Sequence, residues 1–222
     1  WILQAALGVV GYAAVICLAA GRLDWTWGWA LVAILGAVVA AHPLVLIPIN
    51  PELLVERERG LRAEGVKRWD RWIAGLAAGV FPLLSWIVAG LDERFDWSPP
   101  FPVVLHVGGG LVVVLGFALF LWAMAANAFF SEGVRIQTDR GHRVATQGPY
   151  QFVRHPGYVG AILAEAATPV LLGSLWALIP AGGSVLCYVV RTALEDRTLI
   201  AELPGYADYT ARTRYRLLPG IW

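Results

Sequence analysis

The sequence predicts an all-α polytopic membrane protein with about six membrane segments, the last two of which form a helical hairpin. Three observations lead to this fold class. Hydrophobic residues make up 58% of the 222 residues and the mean hydropathy is +0.63, both above the values of soluble globular domains. The apolar residues stand in long uncharged blocks, and the charged residues are mostly confined to the segments between them.

Four uncharged blocks are long enough to cross a bilayer, since a helix rises 1.5 Å per residue and the hydrocarbon core is ~30 Å thick. They comprise residues 2–20, 25–49, 72–91 and 103–130. The first block is similar to a signal peptide, but it lacks a basic start and a further span follows after a short turn, so we expect a membrane helix. In the fourth block, Gly108-Gly109-Gly110 lacks the strand and the Lys-Ser/Thr of a phosphate loop, which predicts a helix-packing or kink site.

A fifth apolar block covers residues 158–190 and is too long for one simple helix. Its single charge is Glu165, and Pro169, Gly173 and Pro180 interrupt it. We therefore predict a hairpin of two shorter helices that turns near Gly173-Ser174. Glu165 has no assigned role, because a pocket wall, a substrate gate or a neutral carboxyl near a helix start would each explain it.

Positive charge is distributed unevenly along the chain. Almost all of it lies in three segments, at residues 50–71, 135–154 and 191–216, and only Arg22 and Arg94 lie on the opposite turns. The positive-inside rule then places the three segments and both termini in the cytoplasm, for which the bacterial inner membrane is the expected setting. The asymmetry favours contact with anionic lipid rather than nucleic acid.

Cysteine and histidine usage gives no sign of a metal centre or a disulfide framework. Cys17 and Cys187 both fall inside apolar runs, and no CxxC or Cys/His spacing occurs. His42 is a single titratable residue within a span, where a packing role is the more common explanation. His106 has no assigned role. Residues 51–70 are typical of a short amphipathic helix on the membrane surface.

Segment 148–160 carries more polar chemistry than anything before it. Two prolines and three glycines within it are incompatible with one regular helix, so we expect a shaped loop. The loop presents Tyr150, Arg154, His155 and Tyr158, which combine hydrogen-bond donors, a permanent positive charge and stacking rings. A membrane-interface turn anchored by Tyr and Arg is the alternative interpretation.

A second polar group lies where the last helix leaves the membrane. Arg191 and Glu195 are four residues apart and share one helix face, whereas Asp196 and Glu202 point elsewhere. A surface ion pair would explain this spacing. The position argues for more, because a carboxylate there is costly unless a cationic group uses it.

These segments together resemble the isoprenylcysteine carboxyl methyltransferase family, which is grouped with the membrane phospholipid methyltransferases. The similarity covers roughly residues 135–222. It rests on His142-Arg-Val-Ala145, Gly148-Pro-Tyr150, Arg154-His-Pro-Gly-Tyr158, Arg191-x-x-x-Glu195-Asp196-x-x-Leu199 and Gly205-Tyr-x-x-Tyr209.

The resemblance implies S-adenosylmethionine as methyl donor, held in a cytoplasmic pocket rather than on a Rossmann sheet. Residues 1–134 would then be a transmembrane scaffold of four spans with the cytoplasmic loop 50–71. Residues 135–222 would be the methyltransferase core, with hairpin 158–190 and a cytoplasmic tail. Arg191 would face the substrate carboxylate, with Glu195 as the second catalytic residue. The implied cofactor-binding residues are Gln137, His142, Arg143, Val144, Ala145, Tyr150, His155, Pro156, Gly157, Tyr158 and Glu195.

The residue types suit this cofactor independently of the resemblance. Adenosylmethionine carries a sulfonium, an amine and a carboxylate, so its pocket needs an anion, cationic or N–H donors, and aromatic rings. Glu195 supplies the first, His155 and loop N–H groups the second, and Tyr150 and Tyr158 the third. Arg191 would orient an acceptor carboxylate through two parallel hydrogen bonds.

We therefore expect a membrane methyltransferase that acts on a lipid or lipidated substrate entering from the bilayer, with carboxyl O-methylation of isoprenylcysteine type favoured. A phospholipid N-methyltransferase is one alternative. A sterol-reductase-like NADPH-dependent enzyme is another, but Glu195 and Asp196 disfavour a phosphate-rich ligand. A packing protein or transporter would need polar residues at the midplane of several spans.

Overall fold

A computed structural model describes the backbone of residues 2–222 and the side chains of residues 7–222. No strand occurs among these residues, and the prediction of an all-α fold is confirmed. A π-helical stretch, Leu76–Val80, joins α4 and α5 into one helical run, Arg68–Phe95. The helices are α1 Ile2–Ala20, α2 Thr26–Ile49, α3 Pro51–Arg59, α4 Arg68–Gly75, α5 Phe81–Phe95, α6 Val103–Ala125, α7 Pro156–Leu172, α8 Leu178–Glu202 and α9 Tyr206–Arg212.

Three helical runs are long and apolar enough to cross a bilayer: Thr26–Ile49, Arg68–Phe95 and Val103–Ala125. The apolar helices Leu7–Ala20 and Pro156–Leu172 are shorter. Large apolar side chains such as Val104, Leu111 and Leu115 of α6 are mostly exposed on the protein surface, as lipid-facing residues would be. Length, composition and exposure are those of an integral membrane protein.

Helices α6 and α7 approach each other closely at glycines. A Cβ placed on Gly160 would lie 2.5 Å from the carbonyl oxygen of Gly116, and one placed on Gly109 would lie 2.6 Å from the backbone nitrogen of Leu171. Small residues permit such backbone contact between membrane helices. The predicted packing role of the three-glycine run is therefore confirmed at Gly109, whereas Gly108 faces open space.

The predicted hairpin is confirmed, with α7 and α8 joined by a turn that begins at Gly173. Gly173 has a φ of +77°, a left-handed conformation that favours glycine. The Ser174 hydroxyl donates to Asp92, which also accepts from the backbone N–H of Ser98 at 2.7 Å. The buried carboxylate of Asp92 thus ties the turn to the end of α5.

Three predicted boundaries were wrong. The block 103–130 is helical only to Ala125, since the Asn127 side chain accepts from the backbone N–H of Phe129 at 2.9 Å and competes with helical bonding. Segment 148–160 is a loop only as far as His155, because Pro156 takes the first position of α7, where its missing N–H costs nothing. Residues 51–70 form α3, a 3₁₀ turn and the start of α4 rather than one helix.

Candidate functional site

A cavity of about 370 Å³ lies at one end of the helix bundle, where the loop 126–155 meets α3, α4, α6, α7, α8 and α9. One wall is mainly apolar and comes from the long helical runs, from the 3₁₀ turn after α3 and from α8. The opposite wall is built from the loop, the end of α8 and α9. The first wall includes Leu61, Ala74, Ala78, Phe120 and Tyr188, and the second includes Val144, Ala145, Tyr150, Leu199, Leu203, Tyr206 and Tyr209.

The structure brings most of the predicted site residues together in the lining of this cavity. They come from three separate stretches of sequence, which the packing of α7 against α8 and the course of the loop make adjacent. These lining residues are His142, Arg143, Val144, Ala145, Tyr150, His155, Gly157, Tyr158, Arg191 and Glu195.

Two predicted cofactor-binding residues lie outside the cavity lining. Gln137 is fully buried within the loop. Its Nε2 donates to the carbonyl of Phe129 at 2.8 Å, and its Oε1 accepts from Arg140 at 2.5 Å, so both ends of the amide serve the loop. Pro156 is buried as the first residue of α7. Sequence spacing does not show which way a side chain points, and the structure gives neither residue a place in the cavity lining.

Glu195 and Tyr158 meet at the centre of the cavity lining. The Tyr158 hydroxyl donates to Glu195 Oε2. Among the described residues the other oxygen, Oε1, has no hydrogen-bond partner. The imidazole of His155 stacks parallel to the Tyr158 ring, with 5.7 Å between the centroids and 2° between the planes. A carboxylate with acceptor capacity and two stacked rings therefore share one side of the cavity.

Arg191 lines the cavity but makes its strongest contacts with a residue that the sequence analysis did not single out. Its Nε and Nη2 donate to the two oxygens of Asp70 at 2.7 and 2.9 Å, and Nη2 also donates to the carbonyl of Glu132. Its guanidinium carbon lies 5.2 Å from the centroid of the Tyr158 ring. The two nitrogens expected to bind a substrate carboxylate thus bind Asp70 in this structure, and the role of Arg191 toward a substrate stays a prediction.

Asp196 points away from Arg191 and Glu195, as predicted, and its role in the fold was missed. It is fully buried and accepts from Arg154 at 2.8 and 2.9 Å, from Arg216 at 2.8 Å and from the Tyr206 hydroxyl at 3.0 Å. His155 Nε2 lies 3.3 Å from the same carboxylate. Asp196 therefore joins the loop, α9 and the C-terminal tail behind the cavity.

The tyrosines of the cavity are neutral rings held by hydrogen bonds. Tyr150 is buried, and its hydroxyl accepts from the Asn127 side chain at 3.2 Å. The Tyr209 hydroxyl donates to the backbone carbonyl of Tyr150 at 2.6 Å. Burial, only partly offset by a hydrogen bond to Thr213 and by the charge of Arg154, raises the pKa of Tyr209 to about 12. Near neutral pH this ring therefore offers an uncharged face.

His142 is a neutral member of the site. The backbone N–H of Gln137 donates to its Nδ1 at 3.2 Å, and its ring packs 4.6 Å from that of Phe129. Burial lowers the pKa of His142 to about 4, and the positive charges of Arg135 and Arg140 act in the same direction. His142 thus adds no positive charge to the cavity near neutral pH.

Arg57, Asp70 and Glu132 lie at the cavity or behind it, and all three precede the predicted core at 135–222. A sequence signal existed for Asp70. It is a carboxylate immediately before an apolar span, and the argument applied to Glu195 applies equally to it. Arg57 stands in a segment rich in arginine, where lipid contact is the simpler explanation, and so it carried no comparable signal.

Comparison with known proteins adds independent information. Residues 109–201 match the model of the isoprenylcysteine carboxyl methyltransferase family. The chain is 31% identical over 142 residues to the protein-S-isoprenylcysteine O-methyltransferase of Rattus norvegicus, covering 60% of this chain and 48% of that protein. It is 32% identical over 69 residues to a probable protein-S-isoprenylcysteine O-methyltransferase of Oryza sativa subsp. indica, covering 31% of this chain and 36% of that protein.

A further relative carries a different name. The chain is 28% identical over 158 residues to the cobalt-zinc-cadmium resistance protein CzcN of Cupriavidus metallidurans, covering 65% of this chain and 64% of that protein. In the part of the chain that the structure describes, no three His, Cys, Asp or Glu side chains are grouped so as to hold a metal ion.

The chain spans about half the length of the rat relative, 48%, so the match concerns part of that protein. The matched segment nevertheless contains the loop 148–155, hairpin α7–α8, Arg191 and Glu195. The resemblance inferred from the motifs is thereby confirmed. Residues 109–201 of this chain thus match the isoprenylcysteine carboxyl methyltransferase family.

Proposed function

We propose that this chain is an integral-membrane, S-adenosylmethionine-dependent methyltransferase that esterifies the carboxylate of an S-prenylated cysteine. The observation that carries the proposal is the composition of one cavity. Its loop wall holds Glu195 and a set of tyrosines, whereas its other wall is mainly apolar and comes largely from membrane-length helices. A polar methyl donor and a methyl acceptor with a lipid tail require this combination of walls.

The residues present fit the proposed cofactor. Glu195 has a free carboxylate oxygen for the amine of the methionine moiety, and the stacked rings of His155 and Tyr158 offer faces to the adenine or the sulfonium. Tyr150 and Tyr209 add neutral rings to the same wall. When bound, S-adenosylmethionine supplies an electrophilic methyl group on a positively charged sulfur.

The chain's own residues would orient the acceptor and exclude water. The transfer forms a carbon–oxygen bond as a carbon–sulfur bond breaks, and yields a methyl ester and a neutral thioether. An ionised carboxylate needs no general base, so alignment in a dry site accounts for most of the effect. Arg191 would hold the carboxylate through Nη1, the nitrogen not used by Asp70 or Glu132.

The apolar wall suits a prenyl chain. Ala74 and Ala78 lie in the run Arg68–Phe95, and their small side chains leave room beside Phe120 of α6. In this proposal the substrate enters from the bilayer and the chain crosses the inner membrane of a bacterium about six times. The basic segments and both termini would face the cytoplasm. Residues 1–134 would then contribute to the site as well as to the scaffold, since Arg57, Ala74 and Phe120 line the cavity.

An amine acceptor, as in phospholipid N-methylation, is less compatible with these contacts. Arg191 and Arg57 both line the cavity and would repel a protonated amine. A carboxylate gains from the same charges. Base treatment of the product distinguishes the two acceptors, because a methyl ester is labile to base and an N-methyl group is not.

The test is calorimetry with S-adenosylhomocysteine on the detergent-purified protein, comparing wild type with Glu195→Gln. We expect binding by wild type and a loss of at least about tenfold in the variant, the size of one charge-assisted hydrogen bond. Glu202→Gln is the matched control, because Glu202 lies on the same helix but pairs with Lys67 on the surface.

The second part of the test supplies S-adenosylmethionine labelled in its methyl group and an N-acylated S-prenylcysteine in vesicles. The proposal expects base-labile label in the lipid fraction. Absence of S-adenosylhomocysteine binding by folded wild type would contradict the cofactor. Base-stable label would contradict the carboxylate acceptor while leaving the cofactor standing.

A further inference from the structure

Arg57 stands out among the largely buried arginines of the cavity because its contacts are weak. We infer that Arg57, on α3, is a second cationic contact for the acceptor carboxylate and determines, together with Arg191, the preference for an anionic acceptor. This inference rests on the proposed function. It concerns a residue outside the segment 109–201 that matches the family.

The hydrogen bonds of Arg57 are long. Its Nη1 donates to the carbonyl of Phe130 and its Nη2 to Glu132 Oε1, both at 3.3 Å. Glu132 is itself 41% exposed, so water competes for its oxygens. By contrast, Arg135, Arg154 and Arg191 all hold a carboxylate at 2.7 to 2.9 Å. The Arg57 side chain is only 18% exposed, so its charge is largely dehydrated and is balanced only by these two longer hydrogen bonds.

Arg57 and Arg191 also act on each other electrostatically. Burial lowers the pKa of Arg57, the charge of Glu132 opposes this, and the charge of Arg191 lowers it further. Two cations that repel each other across one cavity wall make a site for an anion, because an anion between them removes the repulsion. A carboxylate is the anion that the proposed reaction supplies.

The geometry of Arg191 explains why a second contact is needed. Nε and Nη2 donate to Asp70, and Nη2 donates again to the carbonyl of Glu132, which leaves Nη1 for a ligand. A single nitrogen binds a carboxylate without fixing its rotation, whereas donors from two directions fix it. Arg57 approaches from α3 and Arg191 from α8, so the two guanidinium groups supply those directions.

Arg57 also contacts the loop, and the experiment must separate that role. Its guanidinium carbon lies 5.9 Å from the centroid of the Phe130 ring, next to the carbonyl to which it donates. Loss of a purely structural contact would disturb the whole cavity, including the cofactor side. Loss of an acceptor contact would affect only ligands that carry a negative charge at the acceptor position.

The test is a calorimetric titration of an N-acylated S-prenylcysteine, and of its neutral carboxamide, into protein saturated with S-adenosylhomocysteine. We expect wild type to bind the acid more tightly than the amide. Arg57→Gln should weaken binding of the acid by about tenfold to a hundredfold, the value of one charge-assisted hydrogen bond. Binding of the amide and of S-adenosylhomocysteine should change by less than about twofold. Arg57→Lys keeps the charge but loses the planar group, so its affinity for the acid should lie between those of wild type and Arg57→Gln.

The matched control is Arg62→Gln, an exposed arginine of the same basic segment. It removes the same charge and so accounts for any loss of attraction to anionic lipid. Equal weakening of acid, amide and S-adenosylhomocysteine in Arg57→Gln would overturn the inference in favour of a structural role, and unchanged binding of the acid would overturn it directly. If wild type binds S-adenosylhomocysteine but does not distinguish acid from amide, both the inference and the carboxylate acceptor fall. If wild type distinguishes them and Arg57→Gln does so equally, only the inference falls.

Discussion

Glu195 and Asp196 are adjacent on α8 and have opposite surroundings. Asp196 is fully buried and accepts from Arg154, Arg216 and Tyr206. Glu195 lines the cavity and, in the described part of the chain, accepts only from Tyr158. A carboxylate whose lone pairs are all used belongs to the fold, whereas one with unused capacity at a cavity is available to a ligand.

The same contrast separates the arginines. Arg154 lines the cavity, but it donates to Asp196 and to the backbone carbonyls of Thr213 and Arg214. Arg191 is bound on one edge by Asp70 and open on the other, and Arg57 has only long contacts. The cavity is thus surrounded by polar residues whose hydrogen-bonding groups are used within the fold. These residues hold in place a few others that have unused groups.

The largest expected effect is that of Asp196→Asn. The substitution leaves Arg154 and Arg216 without a counter-charge in a buried site, and breaking such a network costs about 3–5 kcal/mol. Thermal unfolding in detergent should show a large drop in the unfolding temperature, with release of the tail at residues 213–222. Glu195→Gln is the matched comparison and should change stability by less than about 1 kcal/mol. Equal destabilisation by the two variants would contradict the distinction between Asp196 as a residue of the fold and Glu195 as a residue of the site.

Asp70→Asn should have an intermediate effect, because Asp70 both stabilises the fold and positions a residue of the cavity. It accepts from the backbone N–H of Val134 at 2.6 Å as well as from Arg191. Asparagine can keep the first bond but cannot accept the arginine fork, so we expect a loss of about 1–3 kcal/mol in stability. The Arg191 guanidinium would no longer be held in place, so binding of the acceptor should weaken more than binding of S-adenosylhomocysteine. Glu64→Gln, an exposed change in the same segment, is the control. A stability loss with unchanged acceptor binding would make Asp70 purely structural.

The sequence was sufficient for the features that depend on local pattern. The uncharged blocks located the apolar helices, Gly173 located the hairpin turn, and the spacing of Arg191 and Glu195 placed both on one face of α8, which lines the cavity. The uncharged fourth block runs on to Phe130, whereas α6 ends at Ala125 and the Asn127 side chain accepts from the N–H of Phe129 just beyond it.

The partners of the polar residues could not be predicted. The rule that relates residues four apart on a helix paired Arg191 with Glu195, but its actual partner, Asp70, is 121 residues away. Gln137 was placed among the cofactor ligands by the family resemblance, and in the structure its amide bonds Phe129 and Arg140. Long-range contacts of this kind follow from helix packing, which a single sequence does not report.

The smallest expected effect is the pH dependence contributed by His142. In the folded state burial and two arginines hold its pKa at about 4, against an ordinary value of 6.5. As the pH falls from about 6.5 towards 4, the unfolded chain takes up a proton that the folded chain does not, so stability decreases with falling pH. His142→Gln keeps an acceptor for the N–H of Gln137 and removes the titration. As the pH falls through this range, the unfolding temperature of wild type in detergent should therefore decrease more than that of the variant. Parallel curves down to pH 4 would show that His142 is protonated in the folded site, and the cavity would then carry one more positive charge on its cofactor wall.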